Sequence, residues 1–241
     1  MVSVRAGRQN PQSSFVKDGD KDEDLYLTVS MDLPIQSTGL VGALTLCAYL
    51  ISLCAKTPNP NPTNSNVKDR LGLAVESSQA SKYLLLLICF YHSILILFPE
   101  NRTSFCLNPD LLNEDLFSWS PTSIAFVVTV LIAAPIRLLA YAQLGKNFTF
   151  RLDKPKNLVT SGMYAYVQHP SYTTLFLVYV ANVFFWMRLD GISACFLPSF
   201  LVKIKGSSEI AGLVLSIFMT LGLWVRVKDE EAMLKHEFRK E

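Results

Sequence analysis

Charged residues are scarce in this sequence of 241 residues: Asp, Glu, Lys and Arg make up 17% of it, whereas hydrophobic residues make up 50%. The net charge of +2 is too small for a nucleic-acid-binding protein, whose recognition surface is strongly basic. There are only three histidines, far apart in the sequence, and there is no His-Glu-x-x-His motif. A metal site is therefore not predicted.

Cysteine is also sparse, and its spacing carries no motif. The five cysteines form no Cys-x-x-Cys pair and lie mostly within apolar stretches (Cys47, Cys54, Cys89, Cys106, Cys195). An odd, scattered set of this kind is typical of small buried apolar residues. The sequence therefore predicts neither a disulfide framework nor a zinc site.

What the sequence does have is long apolar stretches, of which five stand out. They are residues 40–55, 83–98, 124–144, 172–186 and 210–225. A hydrocarbon core about 30 Å thick needs roughly 17–25 helical residues, so each stretch, with its flanks, predicts a transmembrane helix. A sixth stretch, residues 192–202, is short and contains Pro198, so we expect a re-entrant segment, an interfacial segment or part of a helix–helix connection.

The placement of Lys and Arg predicts how these five helices are oriented. The N-terminal segment and the second and fourth loops carry eight such residues, whereas the first and third loops and the C-terminus carry thirteen. Basic residues favour the cytosolic side, so the third loop and the C-terminal tail are predicted to face the cytosol together. No cleavable leader is recognised at the N-terminus, and the first helix is expected to act as a signal anchor.

Three parts of the chain are predicted from composition. Residues 1–33 are polar and charged and are expected to be disordered. Residues 34–136 hold the first transmembrane spans and their loops, including the proline- and asparagine-rich linker 58–66. Residues 137–241 form the third part, in which the polar motifs of the chain are concentrated.

The third loop, residues 146–172, is the most promising place for chemistry. Gly162 and Pro170 indicate turns, because glycine tolerates positive φ and proline biases the residue before it toward extended geometry. Tyr164 and His169 lie between these turns. An imidazole where a membrane helix begins lies near free helix N–H groups, which favour anionic or polar ligands, but an interfacial anchor is an equally plausible interpretation of His169.

Charged residues near the membrane ends allow two interpretations each. Arg226, Glu230 and Met233 or Leu234 share one face of a predicted helix that continues from the last span. Arg226 and Glu230 could form a surface ion pair, or they could bind a ligand. Arg137, inside the third span, is expected to snorkel to the cytosolic surface, with a polar cavity as the alternative.

Taken together, the loop and the tail resemble the isoprenylcysteine carboxyl methyltransferase family over about residues 137–238. The similarity rests on Leu144-Gly145-Lys146-Asn147-Phe148, Leu158-Val159-Thr160-Ser161-Gly162-Met163-Tyr164, His169-Pro170-Ser171-Tyr172, and Arg226 followed by Glu230-Glu231. The resemblance implies an all-α, polytopic transmembrane bundle. Its cofactor pocket would face the cytosol, between the loop before span 4 and the helix after span 5.

The resemblance further implies an activity, a cofactor and a location. The enzyme would use S-adenosylmethionine to methylate the C-terminal carboxylate of prenylated (farnesyl or geranylgeranyl) cysteine in the endoplasmic reticulum membrane. Arg226 would bind that carboxylate, and Glu230 would hold the polar end of the cofactor. The other cofactor contacts implied are Lys156, Asn157, Leu158, Val159, Tyr164, His169, Pro170, Ser171 and Tyr172.

The sequence departs from the family pattern at three positions and leaves other functions open. Met163 replaces the proline usual after Gly162, Gln168 replaces the arginine usual before His169, and Lys156 replaces a histidine. A small-lipid methyltransferase, with Glu231 or a neighbour facing an amine, is one alternative. A sterol reductase with a nicotinamide cofactor and an inactive membrane scaffold are the others, although no glycine-rich phosphate loop is visible.

Overall fold

The computed structural model describes residues 35–56, 58–59, 77–148, 155 and 157–238. Within these residues the chain is helical and contains no β-strand. The long helices are α1 (Ile35–Cys54), α2 (Ser77–Leu97), α3 (Pro121–Leu144), α4 (Pro170–Phe185) and α5 (Ser207–Phe238). Short helical turns occupy Pro99–Asn101, Arg102–Phe105, Pro109–Leu111, Glu114–Leu116, Gly145–Asn147, Gly162–Ala165, Ile192–Cys195 and Ser199–Val202. Each of the five predicted apolar stretches thus forms a helix.

Not all five helices are long enough to cross a membrane alone. α1, α3 and α5 are long and apolar enough, whereas α2 qualifies only if it is joined to residues Pro99–Phe105 across a bend of 105°. α4 has 16 residues, or about 24 Å at a rise of about 1.5 Å per residue, which is less than a hydrocarbon core of about 30 Å. The described residues therefore contain three to four candidate spans, and the count of five stays a prediction.

α4 is the centre of the helical packing, because it contacts both α3 and α5. α1 is joined to the third span at its two ends. Trp119, just before α3, donates from Nε1 to the carbonyl of Gln36 (3.0 Å), and the Tyr141 hydroxyl donates to the carbonyl of Cys54 (2.8 Å). The first bond joins the N-terminal ends of α1 and α3 and the second joins their C-terminal ends, so the two helices run parallel, side by side.

Local sequence signals explain where α3 begins and ends. The Ser120 hydroxyl accepts from the backbone N–H of Ser123 (3.2 Å), and Pro121 occupies the first turn, where its missing N–H costs nothing. The helix ends at Gly145, whose φ of +54° suits glycine. The chain leaves the membrane helix here and enters the polar loop.

Arg137 does not snorkel to the surface, and that expectation is wrong. Its side chain is 4% exposed, and its Nη1 donates to the backbone carbonyl of Ser171 (2.6 Å) and to the Ser171 hydroxyl (3.1 Å). The guanidinium also lies over the ring of Tyr141. A buried cation needs such partners, and here it joins α3 to the first turn of α4.

Two of the cysteines overturn the prediction that none forms a disulfide. Cys106 and Cys195 are disulfide-bonded across 89 residues, whereas Cys47, Cys54 and Cys89 are free and buried, as expected. The bond joins the loop before α3 to the connection between α4 and α5. Further bonds link the same loops, among them Asn113 N–H to the Asp190 carbonyl (2.8 Å).

We expect Cys106→Ser to lower the stability of the protein by roughly 2–4 kcal/mol, because the crosslink restricts the unfolded chain. The measurement is thermal unfolding in detergent, together with maleimide–polyethylene glycol labelling of the denatured protein before and after reduction. Cys89→Ala is the control, since it leaves the crosslink intact. Labelling that does not change on reduction of the wild type would contradict the assignment.

Several sequence predictions concern residues outside those described. These are the disorder of residues 1–33, most of the linker 58–66, and Lys156. From Gln36 onward the chain forms one compact unit, and the predicted boundary between residues 136 and 137 stays a prediction. The predicted connection at residues 192–202 is confirmed, since it forms two helical turns separated at Pro198 between α4 and α5.

Candidate functional site

A cavity of about 260 Å³ lies where the end of α3, the start of α4 and the last turns of α5 meet. The polar loop closes one side of it. The residues lining the cavity are Leu144, Asn147, Phe148, Pro155, Asn157, Leu158, Val159, Thr160, Tyr164, Gln168, His169, Ser171, Tyr172, Arg226, Glu230, Met233 and Leu234. The two motif regions singled out in the sequence, more than 50 residues apart, therefore share one pocket.

The turn at Gly162 positions the loop against α3. Gly162 has a φ of +64°, and a Cβ atom there would lie 2.8 Å from the side chain of Gln143. Gln143 accepts through Oε1 from the backbone N–H of Met163 (2.9 Å). Met163 replaces the proline that is usual in the family. Because proline has no N–H, only a residue such as Met163 can donate this bond to α3.

We expect Gly162→Ala to weaken binding in the cavity, because the new Cβ meets both an unfavourable φ and the Gln143 side chain. The backbone strain alone costs roughly 1–2 kcal/mol, so ligand affinity should fall about tenfold. Ligand titration checks this, with Gly42→Ala as control, since a Cβ at Gly42 meets nothing within 4 Å. Equal affinities for the two variants would contradict the role of the turn.

α4 begins at Pro170, as predicted, and His169 is the residue just before it. The His169 Nε2 atom is buried and has no hydrogen-bond partner among the described residues. It lies 3.7 Å from Oε1 of Glu231, and its ring centroid is 5.8 Å from that of Tyr172. A buried polar atom without a hydrogen bond is costly, so His169 can offer a hydrogen bond to a ligand in the cavity.

Arg226, Tyr172 and Glu230 form a chain of hydrogen bonds at the cavity wall. Arg226 is 3% exposed, and its Nε donates to the Tyr172 hydroxyl (3.3 Å). That hydroxyl donates to Oε2 of Glu230 (2.5 Å). The expectation that these two charges lie at the surface is therefore wrong for Arg226, which is buried, and the Tyr172 hydroxyl bonds to both side chains.

Tyr164 contributes a protonated phenol to the same cavity. Its burial, together with the negative charge of Glu230, raises the pKa of Tyr164 to about 12, against a smaller opposing effect of Arg137. The hydroxyl therefore keeps its proton at neutral pH. It donates to the carbonyl of Ala140 (3.5 Å), and its oxygen can still accept a hydrogen bond.

Glu231 belongs to a different environment from that of Glu230. Its Oε2 is 3.1 Å from Lys228 Nζ and 3.9 Å from Lys235 Nζ on the same helix. It does not line the cavity. Of the two adjacent carboxylates, the cavity therefore presents that of Glu230.

The structure brings together most of the residues that the sequence pointed to. Those lining the cavity are Asn157, Leu158, Val159, Tyr164, His169, Ser171, Tyr172, Arg226 and Glu230. Pro170 is buried in the first turn of α4 without lining the cavity, and Lys156 lies outside the described residues. The predicted helical face is confirmed, because Met233 and Leu234 also line the cavity.

Other lining residues had no role assigned from the sequence. Asn147 is one of them, and its Nδ2 donates to Asn157 Oδ1 (3.0 Å) across the loop. Pro155, Thr160 and Gln168 also line the cavity without an assigned role. The motif Leu144–Phe148 could have indicated Asn147, since Leu144 and Phe148 line the cavity as well.

A scan against protein-family models finds one family, described as the isoprenylcysteine carboxyl methyltransferase (ICMT) family, which matches residues 125–207. Searches of curated proteins and of solved structures found no match. The matched residues include most of α3, the polar loop and all of α4, whereas Arg226 and Glu230 follow them. The match confirms the predicted resemblance: residues 125–207 of this chain are similar to the isoprenylcysteine carboxyl methyltransferase family.

Proposed function

We propose that this protein uses S-adenosylmethionine to methylate the C-terminal carboxylate of prenylated cysteine. The observation that carries the proposal is the hydrogen-bonded chain of Arg226, Tyr172 and Glu230 in a cavity shared with the motif loop. One end of this chain is cationic and the other is anionic. Such a wall can bind a carboxylate and an amine-bearing cofactor side by side.

The residues of the cavity fit the cofactor. Glu230 would accept from its amino group. His169 Nε2, which has no hydrogen-bond partner among the described residues, and the phenol oxygen of Tyr164 would bond to its polar groups. The cavity volume of about 260 Å³ is close to the lower end of the range of roughly 300–1,000 Å³ found for ligand sites. When bound, S-adenosylmethionine supplies an electrophilic methyl group on a sulfonium.

Arg226 would bind and orient the acceptor. A guanidinium offers a planar fork to a carboxylate, and a buried position strengthens that bond. A C-terminal carboxylate has a pKa of about 3.5, so it is ionised at neutral pH and needs no general base. The contribution of this chain would therefore be alignment and the exclusion of water.

The prenyl chain would be accommodated by apolar surface near the cavity. Leu144, Phe148, Met233 and Leu234 form the apolar part of its lining. The adjoining helix α5 leaves large apolar side chains exposed along its length, as expected for contact with lipid. The substrate partners in this proposal are thus farnesylated or geranylgeranylated C-terminal cysteines, reached from the membrane.

Two independent observations support the proposed orientation. The cavity is at the ends of α3 and α5 and the start of α4, where Lys and Arg predict the cytosolic side. The Cys106–Cys195 disulfide is at the opposite ends of these helices, and disulfides persist in oxidising compartments such as the lumen of the endoplasmic reticulum. We infer five spans in the endoplasmic reticulum membrane, with the cavity facing the cytosol.

The other functions considered have less support. An amine acceptor facing Glu231 is disfavoured, because that carboxylate is next to Lys228 and Lys235 and does not line the cavity. A reductase or an inactive scaffold differs in the cofactor bound, so a binding assay with S-adenosylmethionine and with a nicotinamide cofactor separates them.

The experiment that tests the proposal is methyl transfer from labelled S-adenosylmethionine to N-acetyl-S-farnesylcysteine. Membranes expressing this chain are compared with membranes lacking it. We expect a base-labile methyl ester above background. If the protein inserts and binds the cofactor but no ester forms, the carboxylate acceptor is wrong; if it binds no cofactor, the methyltransferase proposal is wrong.

A further inference from the structure

A second cavity, of about 590 Å³, lies between the C-terminal ends of α1 and α3. We propose that it binds the phosphate headgroup of an anionic phospholipid in the cytosolic leaflet. Its lining residues are Leu53, Lys56, Pro58, Asn59, Leu138, Tyr141, Ala142, Gly145 and Lys146. The proposal does not depend on methyl transfer, because none of these residues lines the first cavity.

The walls of this cavity are fixed by hydrogen bonds on both sides of Lys56. Before it, the carbonyl of Cys54 accepts from the Tyr141 hydroxyl (2.8 Å). After it, Asn59 Nδ2 donates to the carbonyls of Gly145 (2.6 Å) and Phe148 (2.8 Å). The segment carrying Lys56 is therefore attached to α3 and to the turn that carries Lys146.

The charges of the lining favour an anion. Lys56 and Lys146 both line the cavity, and no Asp or Glu among the described residues does so. Neither ammonium group has an ion-pair partner among the residues that the structure describes. Both lysine side chains are exposed, so their ammonium groups are accessible to an anionic headgroup, to which they can donate charge-assisted hydrogen bonds.

The position of the cavity favours a lipid over a soluble anion. Leu53, Leu138 and Ala142 supply apolar surface, and the two lysines come within two residues of the ends of α1 and α3. Basic pockets between transmembrane helices on the cytosolic side suit anionic headgroups. A lipid can place its phosphate between the lysines and its acyl chains along the helices. A free phosphate would interact with the two lysines but make no contact with the apolar surface.

The test uses the purified full chain in detergent micelles and native mass spectrometry of bound lipid. The probes are dioleoyl phosphatidate, dioleoyl phosphatidylcholine, which has the same acyl chains, and glycerol 3-phosphate. We expect phosphatidate to bind at least tenfold more tightly than the other two. Equal binding of the two lipids would overturn the charge argument, and equal binding of glycerol 3-phosphate would overturn the assignment to a lipid.

Two double variants carry the same change in charge, one in the second cavity and one outside it. Lys56→Glu/Lys146→Glu should reduce phosphatidate binding at least tenfold. Lys203→Glu/Lys205→Glu, at exposed residues before α5, should leave it within about twofold. An equal loss in both variants would overturn the site. Should the first variant fail to fold, Lys146→Gln, a smaller change at an exposed residue, should still reduce binding, and an unchanged affinity would overturn the proposal.

Discussion

Arg226→Ala should reduce kcat/KM for N-acetyl-S-farnesylcysteine by roughly 100-fold, mainly through a higher KM. Removing one partner of a buried charged pair typically costs about 2–5 kcal/mol, and about 1.4 kcal/mol corresponds to each factor of ten. Arg226 is buried at the cavity wall, so its guanidinium is largely shielded from solvent. The affinity for S-adenosylmethionine should change by less than about fivefold, because that role is assigned to Glu230. Initial rates at varied acceptor concentration and a separate cofactor titration provide the measurement.

Arg226→Lys is the matched control for charge. Lysine keeps the positive charge but offers no planar fork, so we expect it to recover part of the acceptor affinity. Lys228→Ala is the control for location, since Lys228 is exposed on the same helix and should leave KM unchanged. A loss confined to cofactor binding in Arg226→Ala would show that the role assigned to Arg226 is wrong.

Glu230→Gln should weaken S-adenosylmethionine binding by about 10- to 100-fold while leaving membrane insertion intact. A hydrogen bond to a charged group contributes about 1.5–3 kcal/mol, and glutamine removes the charge without changing the shape of the side chain. The Tyr172 hydroxyl, which donates to Glu230, can still donate to the amide oxygen. The expected loss of affinity therefore reflects a lost contact with the cofactor and not a change in the structure of the cavity wall. Equilibrium binding of labelled cofactor to the purified protein measures it.

Glu231→Gln makes the same chemical change one residue further on. Glu231 is next to Lys228 and Lys235 and does not line the cavity. Partly exposed ion pairs contribute about 0–1 kcal/mol. Glu231 reaches the cavity only through His169, whose Nε2 lies 3.7 Å from its Oε1, so cofactor affinity should change by less than about fivefold, less than in Glu230→Gln. Equal losses in the two variants would remove Glu230 from the site. A Glu231→Gln protein that binds the cofactor but no longer methylates a lipid amine would instead favour the alternative methyltransferase.

A comparison of predicted and observed positions, residue by residue, shows how far the sequence could predict this site. Pro170 and Gly162 fall where their backbone restrictions predicted a helix start and a turn, because these signals act within a few residues. Arg226 and Glu230 share a face because they are four residues apart in one helix. Arg137 could not be assigned in this way, since its partner, Ser171, is 34 residues away.

The sequence by itself determined the helical, membrane-like class of this protein, the positions of its five long helices and the resemblance of its motif loop to a known family. These properties depend on apolar length, helical periodicity and local turn chemistry, all of which are short-range. Only the tertiary structure decided that Tyr172 bonds to both Arg226 and Glu230, and that Cys106 pairs with Cys195. The physical reason is that these contacts join residues 54 to 89 positions apart, and which of many such pairs meet depends on how the helices pack.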